Sequence, residues 1–359
     1  MAIDVLSSVA GLFLVAVALR DVFQGVIVPR AENTVLRISR TMNRVCWRWW
    51  PTLAYKLYRT PRQRENFLGT FAPLMLVIYL ITWVALLIAG WGLFFYGIRA
   101  QLHPPGLTFW DCIYFAGASF LTIGYGDIVG NTTLAHMMSL TAGACGLAVV
   151  AVVATFLFSI FGAFQLRERF VVTLGARAGV PPSGVGLLIE HAQAHMIPDL
   201  AQVFRDGQSW MAEVMESHLA YPILTLFRSS HDYESWVGTL GTLLDAAALV
   251  LTTVDIDDAI RGQAHVAYNL GRHLTHDFTR YFGYPESEGG PGIERAEFDT
   301  ACAHLTQCGY ALRDGDAAWQ RFCDLRKTYA LHLNTLARWL EIPPVRWVGD
   351  RTLLRTPAH

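Results

Sequence analysis

Apolar residues follow two regimes along the chain. Up to Leu166 they form long runs nearly free of charge, before residue 20, from Phe67 to Ile98 and from Ile128 to Leu166. From Arg167 onward they recur at helical spacing among ordinary numbers of charged side chains, the pattern of amphipathic helices. The first regime predicts membrane spans and the second a soluble helical domain. The uncharged run Phe67–Ile98 covers 32 residues, roughly 48 Å of helix and more than a hydrocarbon core requires. Residues Ile3 to about Val28 form an earlier candidate span, broken by Arg20-Asp21. Either that helix carries the two charges against protein, or they mark its inner interface. A retained helix is expected rather than a cleaved signal peptide, because no positive leader precedes the apolar run. Asn131 to Gln165 is long enough to cross and extend beyond the membrane.

In the second regime the periodicity predicts helices at about 184–206, 208–228, 233–254, 257–283, 294–313 and 316–340, with no alternation that would indicate strands. Trp236 to Val254 imitates a further span, but Asp245 in its middle, with Gly238 and Gly241 before it, favours a buried core helix. Tyr284 to Ile293, rich in Pro and Gly, reads as a loop.

Composition agrees with a membrane protein: 53% of the 359 residues are apolar and 16% charged, where soluble domains carry about 25% charge. The net charge of −1 gives no reason to expect a nucleic-acid partner. Six cysteines without CxxC spacing suggest neither a zinc site nor a disulfide framework. Charge is distributed unevenly, however. Between Arg30 and Arg64 lie nine basic residues against Glu32 alone, which places this segment on the cytoplasmic side. The N-terminus is then outside and everything after the last span cytoplasmic. Arg37, Arg40, Arg44 and Arg48 recur at helical spacing beside Val45, Trp47, Trp49 and Trp50. Such a helix suits anionic lipid headgroups; a solvated basic linker is the alternative. A voltage sensor fits poorly, since one candidate span precedes these arginines.

The stretch Thr122-Ile123-Gly124-Tyr125-Gly126-Asp127 sits between the second and third apolar runs, after a short amphipathic segment from Thr108. Glycines alternating with bulky residues allow backbone dihedrals closed to other side chains, so that successive carbonyls can turn to one side. Rings of such carbonyls can replace the hydration shell of a cation. The stretch resembles the selectivity filter of the tetrameric pore-loop potassium channels, with Ile123 where Val is usual. The resemblance covers about residues 67–165 and implies an outer helix, a pore helix opened by a Thr108/Asp111 capping box, a filter and an inner helix. It further implies potassium ions held by Thr122, Ile123, Gly124, Tyr125 and Gly126, with Asp127 at the filter mouth. One filter per chain implies a homotetramer. Trp110, Tyr114 and Phe115 are expected as a cuff around the filter. Ala118 and Leu121 depart from the family, which often carries Glu and Thr there. Gly146, with Gly143 one turn earlier, occupies the place of the family's gating hinge, although glycines also permit close helix packing.

Residues 1–29 are thus expected as an N-terminal membrane helix, 30–66 as a basic cytoplasmic or interfacial segment, 67–166 as the pore domain and 167–359 as a cytoplasmic helical domain. The expected fold is an all-α membrane protein in the plasma membrane. The expected function is potassium conduction regulated by the cytoplasmic domain. A nonselective cation channel, a transporter subunit, and a membrane-tethered sensor or enzyme with a vestigial pore are the alternatives. No nucleophile or metal constellation for an enzyme can be assembled. No GxGxxG turn follows a strand, so no nucleotide or other organic cofactor is expected. His191 and His195, four apart on one expected helix, are weak candidates for metal ligands. His273, His276, Asp277 and Arg280 form a further polar cluster, and Asp255, Asp257 and Asp258 read as a helix start.

Overall fold

The computed structural model describes residues 2–26, 38–179, 181–230, 234–282, 292–343, 345 and 347–348. Arg37, the side chain of Arg40 and most of the loop expected at Tyr284–Ile293 lie outside the described residues. The chain forms two compact units, Met1–Phe161 with Leu219–Leu224, and Gly162–His218 with Thr225–His359. The first boundary falls inside a helix rather than after Leu166.

The first unit contains α1 (Ala2–Val26), α2 (Ile38–Leu57), α3 (Pro61–Gly69), α4 (Phe71–Gly97), α5 (Phe109–Phe120) and the beginning of α6 (Thr133–Ala178). Among the described residues, α1, the stretch Pro61–Gly97 and α6 are long and apolar enough to cross a membrane. The outer helix begins at Phe71 rather than Phe67. Thr60 caps α3, accepting from Gln63 N with Pro61 in the first turn, and the Thr70 hydroxyl closes α3 by donating to Phe67 O at 2.7 Å. A hydroxyl that bonds its own backbone competes with helical continuation at this point.

α1 packs along α4. Asp21 is carried against protein: it is buried and accepts a hydrogen bond from Trp83 Nε1 at 2.7 Å, while Arg20 is exposed. Near the other end of the pair, Arg99 Nη1 lies 2.6 Å from Asp4 Oδ1. The unit's core joins Val15 of α1, Leu87 and Phe95 of α4, Phe115 and Phe120 of α5 and Ala142 of α6.

The second unit contains the end of α6, α7 (Gly184–Gln193), α8 (Leu200–Ala220) except its last two residues, α9 (Trp236–Thr252), α10 (Asp258–Phe282), α11 (Arg295–Gln307), α12 (Gly315–Lys327) and α13 (Ala330–Trp339). α9 is its centre. Every α9 residue except Leu251 is buried, with α7, α10, α12 and α13 packed against it. Asp245 in this apolar helix is neutralised internally: it accepts from Arg326 Nη1 at 2.5 Å and from the Tyr329 hydroxyl at 2.6 Å, and Arg326 Nη2 donates to Trp347 O at 3.0 Å.

Several expected boundaries differ. The helix expected over 184–206 breaks at Ala194, because His195 takes φ +57° and Pro198 lies in a 3-10 turn, Ile197–Asp199. α8 accordingly starts at Leu200 and ends at Ala220, two residues before Pro222. The helix expected over 316–340 divides at Thr328 and Tyr329, where the chain delivers the Tyr329 hydroxyl to Asp245. Among the described residues four two-residue strands also occur, too short for any alternation to register. β1 (Leu102–His103) pairs antiparallel with β2 (Val129–Gly130), and β3 (Val254–Asp255) with β4 (Ala311–Leu312).

Candidate functional site: the pore loop

α5 starts with the expected capping box. Thr108 Oγ1 accepts from Asp111 N at 3.3 Å, and Asp111 Oδ2 accepts from Thr108 N at 2.8 Å, satisfying two donors that a helix start leaves open. The helix stops at Phe120. The Leu121 and Thr122 amides donate to Gly117 O and Ser119 O at 2.9 and 3.1 Å, and Ile123 N reaches Ala118 O at 2.8 Å. Ala118 therefore contacts the loop through its backbone carbonyl.

From Thr122 the chain takes a left-handed dihedral at every second residue: φ is +57° at Thr122, +64° at Gly124 and +80° at Gly126. Two of these positions are glycine, which adopts the region freely, while Thr122 is β-branched and bears a cost of about 1–2 kcal/mol there. Strain of this kind persists where surrounding structure holds it, and it clusters at functional positions. Alternation of handedness lets carbonyls turn toward one side, as an ion cage requires.

The loop is held at both ends. Leu102 pairs with Gly130 and His103 with Val129. Asn131 N donates to Gln101 O at 2.8 Å, and Thr132 Oγ1 to Gln101 Oε1 at 2.6 Å. This clamp was not legible in the sequence, because its four strand residues carry no period. Tyr114 of α5 stacks on Tyr125, with ring centroids 6.3 Å apart and planes 7° from parallel. The expected three-member cuff is not formed within the chain. Phe115 packs edge-on to Phe95 at 4.8 Å, and Trp110 is exposed beside Phe109. Residues 114 and 115 lie about 100° apart around a helix, so both cannot face the loop.

Behind the loop, Gly146 lies against the end of α5. A Cβ there would come within 1.8 Å of Phe120 O, and one at Gly143 within 3.3 Å of Ser119 O. Packing alone therefore requires glycine at 146, and α6 passes through it as unbroken helix. Thr122 to Asp127 are all exposed, as are Met137, Leu140, Leu147, Val150 and Phe158 along α6.

His191 and His195 do not share a helix face. α7 ends at Gln193, and the left-handed turn at His195 leaves it exposed, whereas His191 is buried with Nδ1 2.7 Å from Leu187 O. Among the described residues no group of three or more His, Cys, Asp or Glu side chains could hold a metal ion. His273 and Asp277 pair at 3.2 Å, the histidine exposed and the aspartate half-buried, and Asp257 accepts from Ala259 N at the start of α10.

A polar node around Arg167 was not legible in the sequence beyond that residue's place as the first charge after the apolar run. Within the second unit this guanidinium is buried. It donates to Phe227 O at 2.9 Å, approaches Glu168 Oε1 at 2.8 Å and lies 3.2 Å from His218 Nε2, while Trp210 Nε1 donates to Arg167 O at 3.1 Å. A guanidinium only donates, so His218 Nε2 accepts and the imidazole is neutral. Burial, and then the Arg167 charge, hold the His218 pKa well below its ordinary value.

A family model described as "Ion channel" matches residues 81–163, from the middle of α4 through the loop into α6. Over 190 residues the chain is 25% identical to the "Uncharacterized membrane protein YdjJ" of Bacillus subtilis (strain 168), an alignment covering 51% of this chain and 54% of that protein. The chain thus spans about half the length of this curated relative. No solved structure matches significantly. The matched region takes in the second half of α4, the capped α5, the loop and the first two thirds of α6, so the chain carries an ion-channel domain of the pore-loop type.

Proposed function

We propose that the chain conducts potassium selectively and passively as a homotetramer, with potassium ions coordinated by Thr122, Ile123, Gly124, Tyr125 and Gly126 and with Asp127 at the mouth. The observation that carries this reading is the alternation of left-handed dihedrals at 122, 124 and 126 in a segment exposed from Thr122 to Asp127. One strand offers one side of a cage, and a cation stripped of water needs oxygens all round. The exposed apolar face of α6 supports the same stoichiometry, because neighbouring copies would cover it. By the basic bias between Arg30 and Arg64, the N-terminus lies outside the plasma membrane and the second unit in the cytoplasm.

Purified protein in planar bilayers between asymmetric potassium and sodium solutions should reverse near the potassium potential. Equal permeability would leave a nonselective channel. A native mass of one or two chains in detergent that preserves conduction would exclude the tetramer.

The second unit acts as a regulator in this reading. α6 enters it as unbroken helix, and Arg167 is fastened there to His218 and Phe227 O. A shift of those partners therefore bears on the inner helix, and a ligand that binds one arrangement more tightly would bias opening. Truncation after Arg169 should abolish responses to pH and ligands while leaving conduction. Unchanged open probability and unchanged responses in an assembled truncated protein would reduce the unit to a scaffold.

A further inference from the structure

α2 has three different sides. Its first side is attached to the first unit: Trp47 and Ala54 are buried, Trp47 meets Phe71 edge-on at 4.9 Å, and Trp50 stacks on Phe67 at 4.6 Å and donates Nε1 to Phe67 O. The turn into α3 is braced by Arg64, whose guanidinium donates to Tyr58 O and Arg59 O at 3.1 and 2.7 Å. The orientation of α2 is thereby set by the chain itself.

The second side is a ridge of Val45, Trp49, Leu53 and Leu57, four residues apart at each step and 41% to 68% exposed. Side chains at this spacing stand on one face of a helix. The third side carries Arg44 and Arg48, also four apart and exposed, each one residue before a ridge member and so about 100° around the helix. α2 contains no acidic residue.

We infer that α2 is an interfacial helix that docks on anionic lipid: its Val45/Trp49/Leu53/Leu57 ridge sinks into the acyl boundary while Arg44 and Arg48 pair with lipid phosphates. Water satisfies the arginines and leaves the ridge exposed, whereas bare hydrocarbon does the reverse. A negatively charged headgroup layer accommodates both within one helix width. Charge opposes the chief alternative, the same face of a second copy, because Arg44, Arg48 and Lys56 would meet their own duplicates with no carboxylate on either α2. The chain also leads from α2 through three residues and α3 into the apolar span, which keeps α2 near its end. This inference rests on the reading of α4 as a membrane helix, and the test separates the two.

A diazirine-bearing amino acid is placed in the full-length chain at Leu53, or at Ile81 on the exposed side of α4, and the protein is irradiated in vesicles of equimolar phosphatidylcholine and phosphatidylglycerol. Both positions should yield lipid adducts, with phosphatidylglycerol enriched at Leu53 by about fivefold and at Ile81 not at all. Arg44→Gln with Arg48→Gln should return the Leu53 adducts to the bulk ratio while Ile81 is unaffected. Lipid at Ile81 with only water or protein adducts at Leu53 overturns the inference and leaves the membrane reading intact, and adducts to a second chain would mark a subunit interface instead. Absence of lipid at both positions overturns both readings. A phosphatidylglycerol share at Leu53 that the double substitution does not change removes the arginines from the proposal and overturns it.

Discussion

Gly146 of the inner helix and Phe120 at the end of the pore helix approach so closely that a Cβ on the glycine would lie 1.8 Å from the Phe120 carbonyl oxygen. Two residues after Phe120 the strained loop begins, so the glycine sets where the inner helix rests against the platform that carries the loop.

Gly146→Ala should therefore destabilise the pore module by about 1–3 kcal/mol, the usual penalty of forcing an extra methyl into a packed interface. Gly143→Ala, whose Cβ would meet Ser119 O at 3.3 Å, should fall well below that. Thermal unfolding of the two purified variants measures the order. Equal stability of Gly146→Ala and wild type, with altered opening, would instead favour a hinge at this glycine.

Trp83→Phe removes the indole donor from Asp21, a buried carboxyl carried on a membrane helix. A hydrogen bond contributes about 0.5–1.5 kcal/mol net, and the variant should lose stability in that range. Trp83→Phe combined with Asp21→Asn should lose less than the sum of the two single changes. Strict additivity in a double-mutant cycle would show that the pair does not interact.

In the second unit, Asp245→Asn takes from the buried Arg326 the carboxylate to which its Nη1 donates, while the bond to Trp347 O remains. Breaking a buried ion pair from one side costs about 3–5 kcal/mol, enough to unfold a marginal domain. Tyr329→Phe removes one hydrogen bond to the same carboxylate and should cost less. Chemical denaturation of the full chain, followed by exchange protection of α9 amides, distinguishes these outcomes.

His218 predicts a pH dependence with a definite sign. Its pKa is held well below 6.5 by burial and then by Arg167, so below 6.5 the unfolded chain binds a proton that the folded chain does not. Stability from this group is fully present above 6.5 and falls on acidification by up to about 1.4 kcal/mol per pH unit until the folded pKa is reached. His191, whose pKa burial also lowers, acts in the same direction. The measurement is therefore the difference between wild type and His218→Gln, which keeps an acceptor for Arg167 but does not titrate. The unfolding midpoint of the variant should depend less steeply on pH below 6.5, and parallel slopes would refute the assignment.

The channel domain was legible in the sequence because its constraints are local. Long uncharged runs define spans by length and composition, Thr108 and Asp111 announce a helix start three residues apart, and alternating glycines declare an unusual backbone between Thr122 and Asp127. The apolar character of α9 and its single acid likewise indicated a buried core helix. Tertiary structure alone decided what the long-range partners are. Asp21 meets Trp83 62 residues away, and Asp245 meets Arg326 at a separation of 81. No periodicity encodes such pairings, because any basic or indole group brought to the right place would serve. The same holds for Arg167, which sequence marks as the end of an apolar run and folding buries among His218, Glu168 and Phe227, so that the helix continues to Ala178. The break at His195 shows the converse: apolar spacing persists through residues 184–206, but a left-handed residue and Pro198 redirect the backbone. Apolar periodicity reports which side chains are covered, while the course of the backbone depends on dihedrals and partners elsewhere in the fold.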